Sequence, residues 1–386
     1  MSEGRLLIGY IPLVDAAALI VAVDHGFTAA EGLDVELVRE VSWSNVRDKL
    51  NLGLFDAAHL LSPVAIASSL GLGHVRVPIV APFNLGLNGN AITVTPPLFA
   101  ALADAAEGDV ENPLASARAL ARVVAARKRR HDDPLTFGMT FPYSNHNYQL
   151  RFWMAAGGVD PDEDVRLVVL PPPYMVDSLS RGHVDGFCVG APWNSVAVDA
   201  GIGRILHFGC DIVARCSEKV LAVRGQWAAQ NAEAMEKLVR ALGRAAAWVV
   251  DESRRDTVAD TVAARISVPP DLVRRTLTGR LRLDRNGAQR SIARYLLVGG
   301  NAARPDPTQA AWLYAQMVRW GQAPMSPDDL AHAQAVFRPD IFDAALGGHH
   351  DASTRDPADG IGAFVGPAFD PARISDELAA YAIRRM

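Results

Sequence analysis

The sequence predicts an α/β chain of two lobes, joined by two chain crossings and finished by helices, and three observations carry that prediction. Apolar runs of strand length alternate with helical stretches over the first hundred residues and again over 135–208, the pattern of sheets wrapped by helices. At 386 residues the chain is too long for one compact core. Beyond residue 226 the pattern changes to amphipathic helices, as in Ala232–Val250 and Thr308–Trp320.

In order, the first series reads as strand 5–11, a helix over Ala16–His25, a stop at Gly32 and strand Leu33–Val38. A helix over Asn45–Leu52 is ended by Gly53, then come the apolar Ala57–Leu61, a helix Val64–Leu70 and a strand Val75–Ala81. Short loops between such units imply a parallel sheet, whose ligands sit beyond the carboxyl ends of its strands. The turns holding Pro12, Asp15, Trp43 and Ser62 are therefore candidate walls of a site. Asn84–Asn90 reads as a polar, glycine-rich break before the strand Ala91–Val94. Two helices follow, the second over Asn112–Arg130, where the basic run Arg127–His131 complements the helix C-terminus. The second series reads as strands 135–140, 165–170, 184–189 and 204–208 with helices 145–156, 174–181 and 192–200 between them. The strand Lys219–Val223 marks the return crossing. The lobes are then residues 1–92 with 219–386, and residues 93–218. The tail 346–372, rich in Gly, Asp and Pro and holding His349 and His350, reads as an irregular surface wrap.

Apolar residues make up 49% and charged residues 21%, ordinary for a globular chain, and the net charge of −5 argues against direct nucleic-acid binding. The apolar stretch Ala16–Val23 is too short to span a bilayer, so no membrane partner is expected. Four residues before the first strand leave no room for a secretory signal, which predicts a cytoplasmic location. Cys188, Cys210 and Cys216 have no disulfide or metal spacing and read as core residues. Nucleophile elbow, phosphate loop, dinucleotide fingerprint and paired metal histidines are all missing from the sequence, so neither catalysis nor a cofactor nor a metal is expected.

Ser144–Trp153 (SNHNYQLRFW) is the stretch with most chemistry. It follows a buried strand and opens a helix with Ser144 as N-cap, which puts His146 in the first turn, where free backbone N–H groups favour an anion. His146 is then either a ligand group or a satisfied helix-start histidine. Trp43 is either packed at a helix start or offers its indole N–H and flat face to a planar ligand. Asn90 is either a turn residue bonded to its own backbone or an amide aimed at a ligand. Lys219 is either a surface lysine or the charge that holds a monoanion. Gly190 and Pro192 either line the cleft or shape a strand-to-helix turn.

Several stretches in order resemble the nitrate/bicarbonate-binding group of ABC-transporter solute-binding proteins. They are Leu7–Asp15 (LIGYIPLVD), Glu40–Leu50 (EVSWSNVRDKL), Asp56–Pro63 (DAAHLLSP), Leu87–Thr93 (LNGNAIT) and the His146 stretch with Ala155–Gly158. Val184–Asn194 (VDGFCVGAPWN), Glu218–Val220 and Phe369–Pro371 also fit. The resemblance implies a two-lobed periplasmic-binding-protein fold of type II closing on a small planar anion. It places the ligand-holding roles of nitrate-binding members on Trp43, Asn90, His146 and Lys219. Bicarbonate-binding relatives carry an acidic residue at the lysine position and recruit a metal, so Lys219 favours nitrate or nitrite. The early first strand is most similar to the cytosolic NasS-type sensors, which partner an RNA-binding antiterminator with an ANTAR domain. The resemblance thus implies a nitrate/nitrite sensor. A transporter-fed binding protein, or an enzyme on the same fold such as a desulfinase, are the alternatives.

Overall fold

The structure, a computed structural model, describes residues 4–347 and 360–386. Its strands are β1 Leu6–Tyr10, β2 Val35–Arg39, β3 Ala57–Leu61, β4 Ile79–Asn88, β5 Asn90–Val94, β6 Thr136–Met139 and β7 Arg166–Val169. They continue as β8 Gly186–Gly190, β9 Arg204–Phe208, β10 Ser217–Arg224, β11 Arg280–Arg282, β12 Gln289–Ser291 and β13 Leu296–Leu297. A six-stranded sheet runs β13-β4-β10-β3-β1-β2, a five-stranded sheet runs β7-β6-β8-β5-β9, and β11 and β12 form a separate hairpin.

The expected parallel sheets are mixed. β1 lies parallel to β2 and β3, but β10 returns antiparallel between β3 and β4. In the second sheet β6 is parallel to β7 and β8, whereas β5 is antiparallel to β8 and β9. β10 and β5, the strands by which the chain enters each sheet at a crossing, each run against both of their neighbours. The expected helical stretch after residue 226 likewise contains the β11–β12 hairpin and β13.

The break expected at Asn84–Asn90 is a second correction. Residues 84–88 complete the ten-residue β4, and the strand expected from Val75 begins at Ile79. The chain changes sheet at Gly89 alone, whose φ of 89° suits glycine and whose Cβ, if present, would sit 3.0 Å from Leu296 Cδ1. Asn88, also left-handed at φ 61°, bonds through Nδ2 to the carbonyls of Ala214 and Arg294 and through Oδ1 to the N–H of Cys216, each at 2.9–3.0 Å. The two crossings are therefore bonded to each other.

Helices sit where capping and apolar spacing put them. Ser42 Oγ accepts from Asn45 N–H at the start of Trp43–Asn51, and Ser144 Oγ from Asn147 N–H at the start of Asn145–Ala156. The long helix Ala232–Val250 buries Met235, Leu238, Val239, Leu242, Ala245, Ala246 and Val249, spaced three and four apart, in one apolar cluster with Ala17–Ala22. Of the tail, Leu346 ends the helix Pro339–Leu346 with Gly347 as its cap, and residues 360–372 form bends and turns with a single bridge, Val213 to Ala363; His349 and His350 lie outside the described residues. Phe364 and Tyr381 pack edge-on against Phe152, with ring centroids 5.8 and 5.5 Å away. All three cysteines are buried thiols. No helix among the described residues is long and apolar enough to cross a membrane.

Candidate functional site

Trp43, Asn90, His146 and Lys219 are brought together, each at most 1% exposed, around the start of β10. Trp43 opens the helix after β2, Asn90 opens β5, His146 lies in the first turn of the helix after β6, and Lys219 lies in β10. The positions agree with the rule that sites form beyond the carboxyl ends of parallel strands, and they draw on both sheets.

The lysine is not alone. Its Nζ lies 2.8 Å from Glu218 Oε1 and 3.0 Å from Asp15 Oδ2, which makes a buried triad of two carboxylates and one ammonium. Of the two readings of Lys219, a surface lysine is excluded by its complete burial. Neighbouring residues of a strand normally face opposite sides. Here the β10–β4 ladder slips, with Ser217 opposite Leu87 but Lys219 opposite Gly86, and the resulting bulge lets Glu218 and Lys219 both face inward.

Glu218 is the hub. Its Oε2 accepts from Asn90 Nδ2 at 2.7 Å, and its Oε1 lies 3.5 Å from His146 Nε2. His146 is held from behind by the 2.9 Å bond between Nδ1 and Thr140 Oγ1. Asn90 Nδ2 also donates to Gln149 Oε1 at 3.3 Å, and Asp15 Oδ1 pairs with His59 Nε2 at 2.9 Å. The Lys219 ammonium stands 5.2 Å over the Trp43 ring, whose centroid is 5.5 Å from that of His59.

Burial alone would push the Asp15 carboxyl up, but Lys219 and His59 outweigh it and hold it at about 2. Burial likewise opposes the ionised Glu218, and Lys219 and then His146 lower it nonetheless. For Lys219 the penalty of burial is outweighed by Asp15 and Glu218, which raise it. Burial is the main cause that lowers both histidines, His146 to about 4, so both are neutral at pH 7. Two carboxylates against one ammonium leave this cluster one net negative charge. Inside it, Trp43 Nε1, His59 Nδ1, Asn90 Oδ1, His146 Nε2 and Gln149 Nε2 have no hydrogen-bond partner, although buried polar atoms are normally paired.

Of the remaining expected lining residues, Asp15 is part of the cluster. Gly190 borders it, since a Cβ there would lie 3.6 Å from Asn90 Oδ1 and 3.7 Å from Asp15 Oδ2. Ser62 supports β10 through a 2.8 Å bond to Ser217 Oγ. Pro12 and Pro192 are buried, and neither has a side-chain polar atom to offer the cluster. Glu218, His59 and Gln149 complete it without having been assigned roles from sequence. His59 is the lone polar residue of the fully buried AAHLL strand, and Gln149 lies one helical turn after His146, so both carried a signal. Among the described residues no group of three or more His, Cys, Asp or Glu is placed to hold a metal ion.

The chain resembles known proteins over most of its length. It is 30% identical over 378 residues to the nitrate/nitrite binding protein NrtA of Synechococcus elongatus, covering 94% of this chain and 83% of that one. It is 32% identical to the nitrate import ATP-binding protein NrtC of Synechocystis sp., covering 91% of this chain but only 52% of NrtC, so the chain spans about half of that relative. The crystal structure of the periplasmic nitrate-binding protein NrtA from Synechocystis PCC 6803 superposes with a TM-score of 0.86 at 27% identity, covering 98% of each chain. The fold is that of the periplasmic-binding proteins, and since the profile of the NMT1-like family matches residues 2–263, the chain belongs to the NMT1-like family.

Proposed function

We propose that this chain binds nitrate and nitrite reversibly in the cluster around Trp43, Asn90, His146 and Lys219, and catalyses nothing. The observation that carries the reading is a set of buried, hydrogen-bond-capable groups from both sheets gathered on one ammonium. Neutral His146 offers Nε2, Trp43 its indole N–H and Gln149 an amide N–H, all fully buried and without a hydrogen-bond partner. Hydrogen bonds to a charged group contribute about 1.5–3 kcal/mol each, so three or four support micromolar affinity after the cost of association. The relatives NrtA, a nitrate/nitrite binding protein and a periplasmic nitrate-binding protein, support the same ligand.

In this reading the parts of the chain that build the six-stranded and the five-stranded sheet are two bodies that close on the anion, and closure needs a ligand that favours the closed form. Its output is proposed to be regulatory: a cytoplasmic sensor whose closed form controls an ANTAR-type RNA-binding antiterminator, supported by the resemblance to NasS-type sensors. A second reading, delivery of the anion to an ABC transporter, fits the names of the relatives at least as well.

Calorimetric titration with nitrate, nitrite and bicarbonate, repeated on Lys219→Glu, tests the ligand. Micromolar binding of nitrate or nitrite, lost in the variant, is expected; binding of bicarbonate alone refutes the specificity. Adding an ANTAR-type antiterminator at saturating nitrate tests the output, and unchanged affinity between the two proteins refutes the sensor.

A further inference from the structure

We propose that the Glu218 carboxylate is a tethered surrogate for the anion, occupying the ligand's place and leaving it when the anion enters. The inference rests on the anion-binding reading above and deepens it. Three of the four groups given ligand roles are turned on this one side chain: Asn90 Nδ2 at 2.7 Å, Lys219 Nζ at 2.8 Å and His146 Nε2 at 3.5 Å. A carboxylate end is planar, carries one negative charge shared by two oxygens, and accepts in its own plane, which is the chemistry of nitrite and, with a third oxygen, of nitrate. Groups arranged to hold one can hold the other.

Charge excludes simultaneous occupancy. With His59 and His146 neutral, a monoanion added while Glu218 and Asp15 stay would set three negative charges against one ammonium in a site sealed from water. Unpaired charge in such a site is strongly disfavoured. Asp15 is not the group that yields, because it is tied to His59 at 2.9 Å as well as to Lys219 at 3.0 Å. Glu218 sits on the bulge. Neither ladder of β10 gives it a partner residue, whereas Ser217 and Lys219 on either side have one. The strand can therefore release this side chain while its neighbours stay paired.

A tethered competitor acts at an effective concentration of about millimolar or above, so removing it tightens binding of the free anion without any new contact. The test is calorimetric titration of the full chain with sodium nitrate, comparing wild type, Glu218→Ala and Glu218→Gln, with melting curves for each. Glu218→Ala is expected to bind nitrate at least about tenfold tighter than wild type. Glu218→Gln, which removes the charge but keeps the bulk, is expected to fall between them. Sodium acetate, the free form of the deleted group, is expected to compete with nitrate for Glu218→Ala at concentrations that leave wild type unaffected.

A folded Glu218→Ala that binds nitrate no tighter than wild type, or more weakly, overturns the proposal and makes Glu218 a support for Lys219. Wild type then still binds, and the anion reading stands. Failure of wild type and both variants to bind nitrate or nitrite overturns that reading and this one with it. Should Glu218→Ala not fold, a crystal structure of wild type with nitrate decides. Glu218 turned away from Asn90 and Lys219 supports displacement, and Glu218 still bonded to both refutes it.

Discussion

Lys219 is a buried ammonium bracketed by Asp15 and Glu218, with no exposed surface of its own. Removing it strands two carboxylates where water cannot reach them, so Lys219→Met is expected to destabilise the chain by about 3–5 kcal/mol. Adding Asp15→Asn to that variant removes one of the stranded charges and is expected to recover part of the loss. Denaturant titration of the single and double variants measures both, and a double variant no more stable than Lys219→Met refutes the account. At this scale the gathering of Trp43, Asn90, His146 and Lys219 is partly legible in the sequence, since each falls at a strand end, a helix start or a crossing strand. The part played by Glu218 is not. Alternation along β10 would send it to the opposite face from Lys219, and only a bulge, invisible in a one-dimensional pattern, places both inside.

Two helices present site residues in the same way, with a serine N-cap ahead of Trp43 in one and His146 in the other. Ser144→Ala removes the cap acceptor for Asn147 N–H and a hydroxyl that donates to Phe141 O at 2.6 Å. A loss of about 1 kcal/mol is expected, read as a lower denaturant midpoint with unchanged slope. An unchanged midpoint would show that packing alone holds this helix start. Element bounds in the second lobe are legible almost to the residue, as in Asn145–Ala156 and Arg204–Phe208, because caps and glycine stops punctuate a strong apolar period. The end of β4 is not, because Asn84, Gly86 and Asn88 read as turn residues. Asn84 is a strand residue whose side chain bonds to the carbonyls of Ala302 and Arg304, and Gly86 is a strand glycine that gives Asp15 Cβ room 3.2 Å from where its own Cβ would stand. Strand direction is equally hidden, since the antiparallel setting of β10 depends on a return from more than a hundred residues away.

At the scale of the whole molecule, two buried histidines contribute to the response to acid. Burial brings His146 and His207 down to about 4, with His207 Nε2 held 2.6 Å from Ser116 Oγ. Between that value and the unfolded value of about 6.5, the unfolded chain binds protons that the folded chain refuses. Stability therefore rises with pH through that window, by up to roughly 1.4 kcal/mol per unit for each histidine, and is flat in this respect above it. Asp15, held at about 2, acts in the same direction over a lower window: its stabilisation is complete above about 3.9 and lost as pH falls through about 2. Melting temperature is expected to hold from pH 7.5 to about 6.5 and to fall from there to 4.5, with a shallower slope in His207→Gln; parallel slopes would assign the loss elsewhere. The bonds from Asn88 to Ala214, Arg294 and Cys216 have a mechanical consequence. Two separate threads between rigid bodies would let them twist, slide and tilt. In the closure proposed above, two threads bonded to each other resist twisting and sliding more than tilting, so the proposed motion would follow one axis, like a door on a single pin.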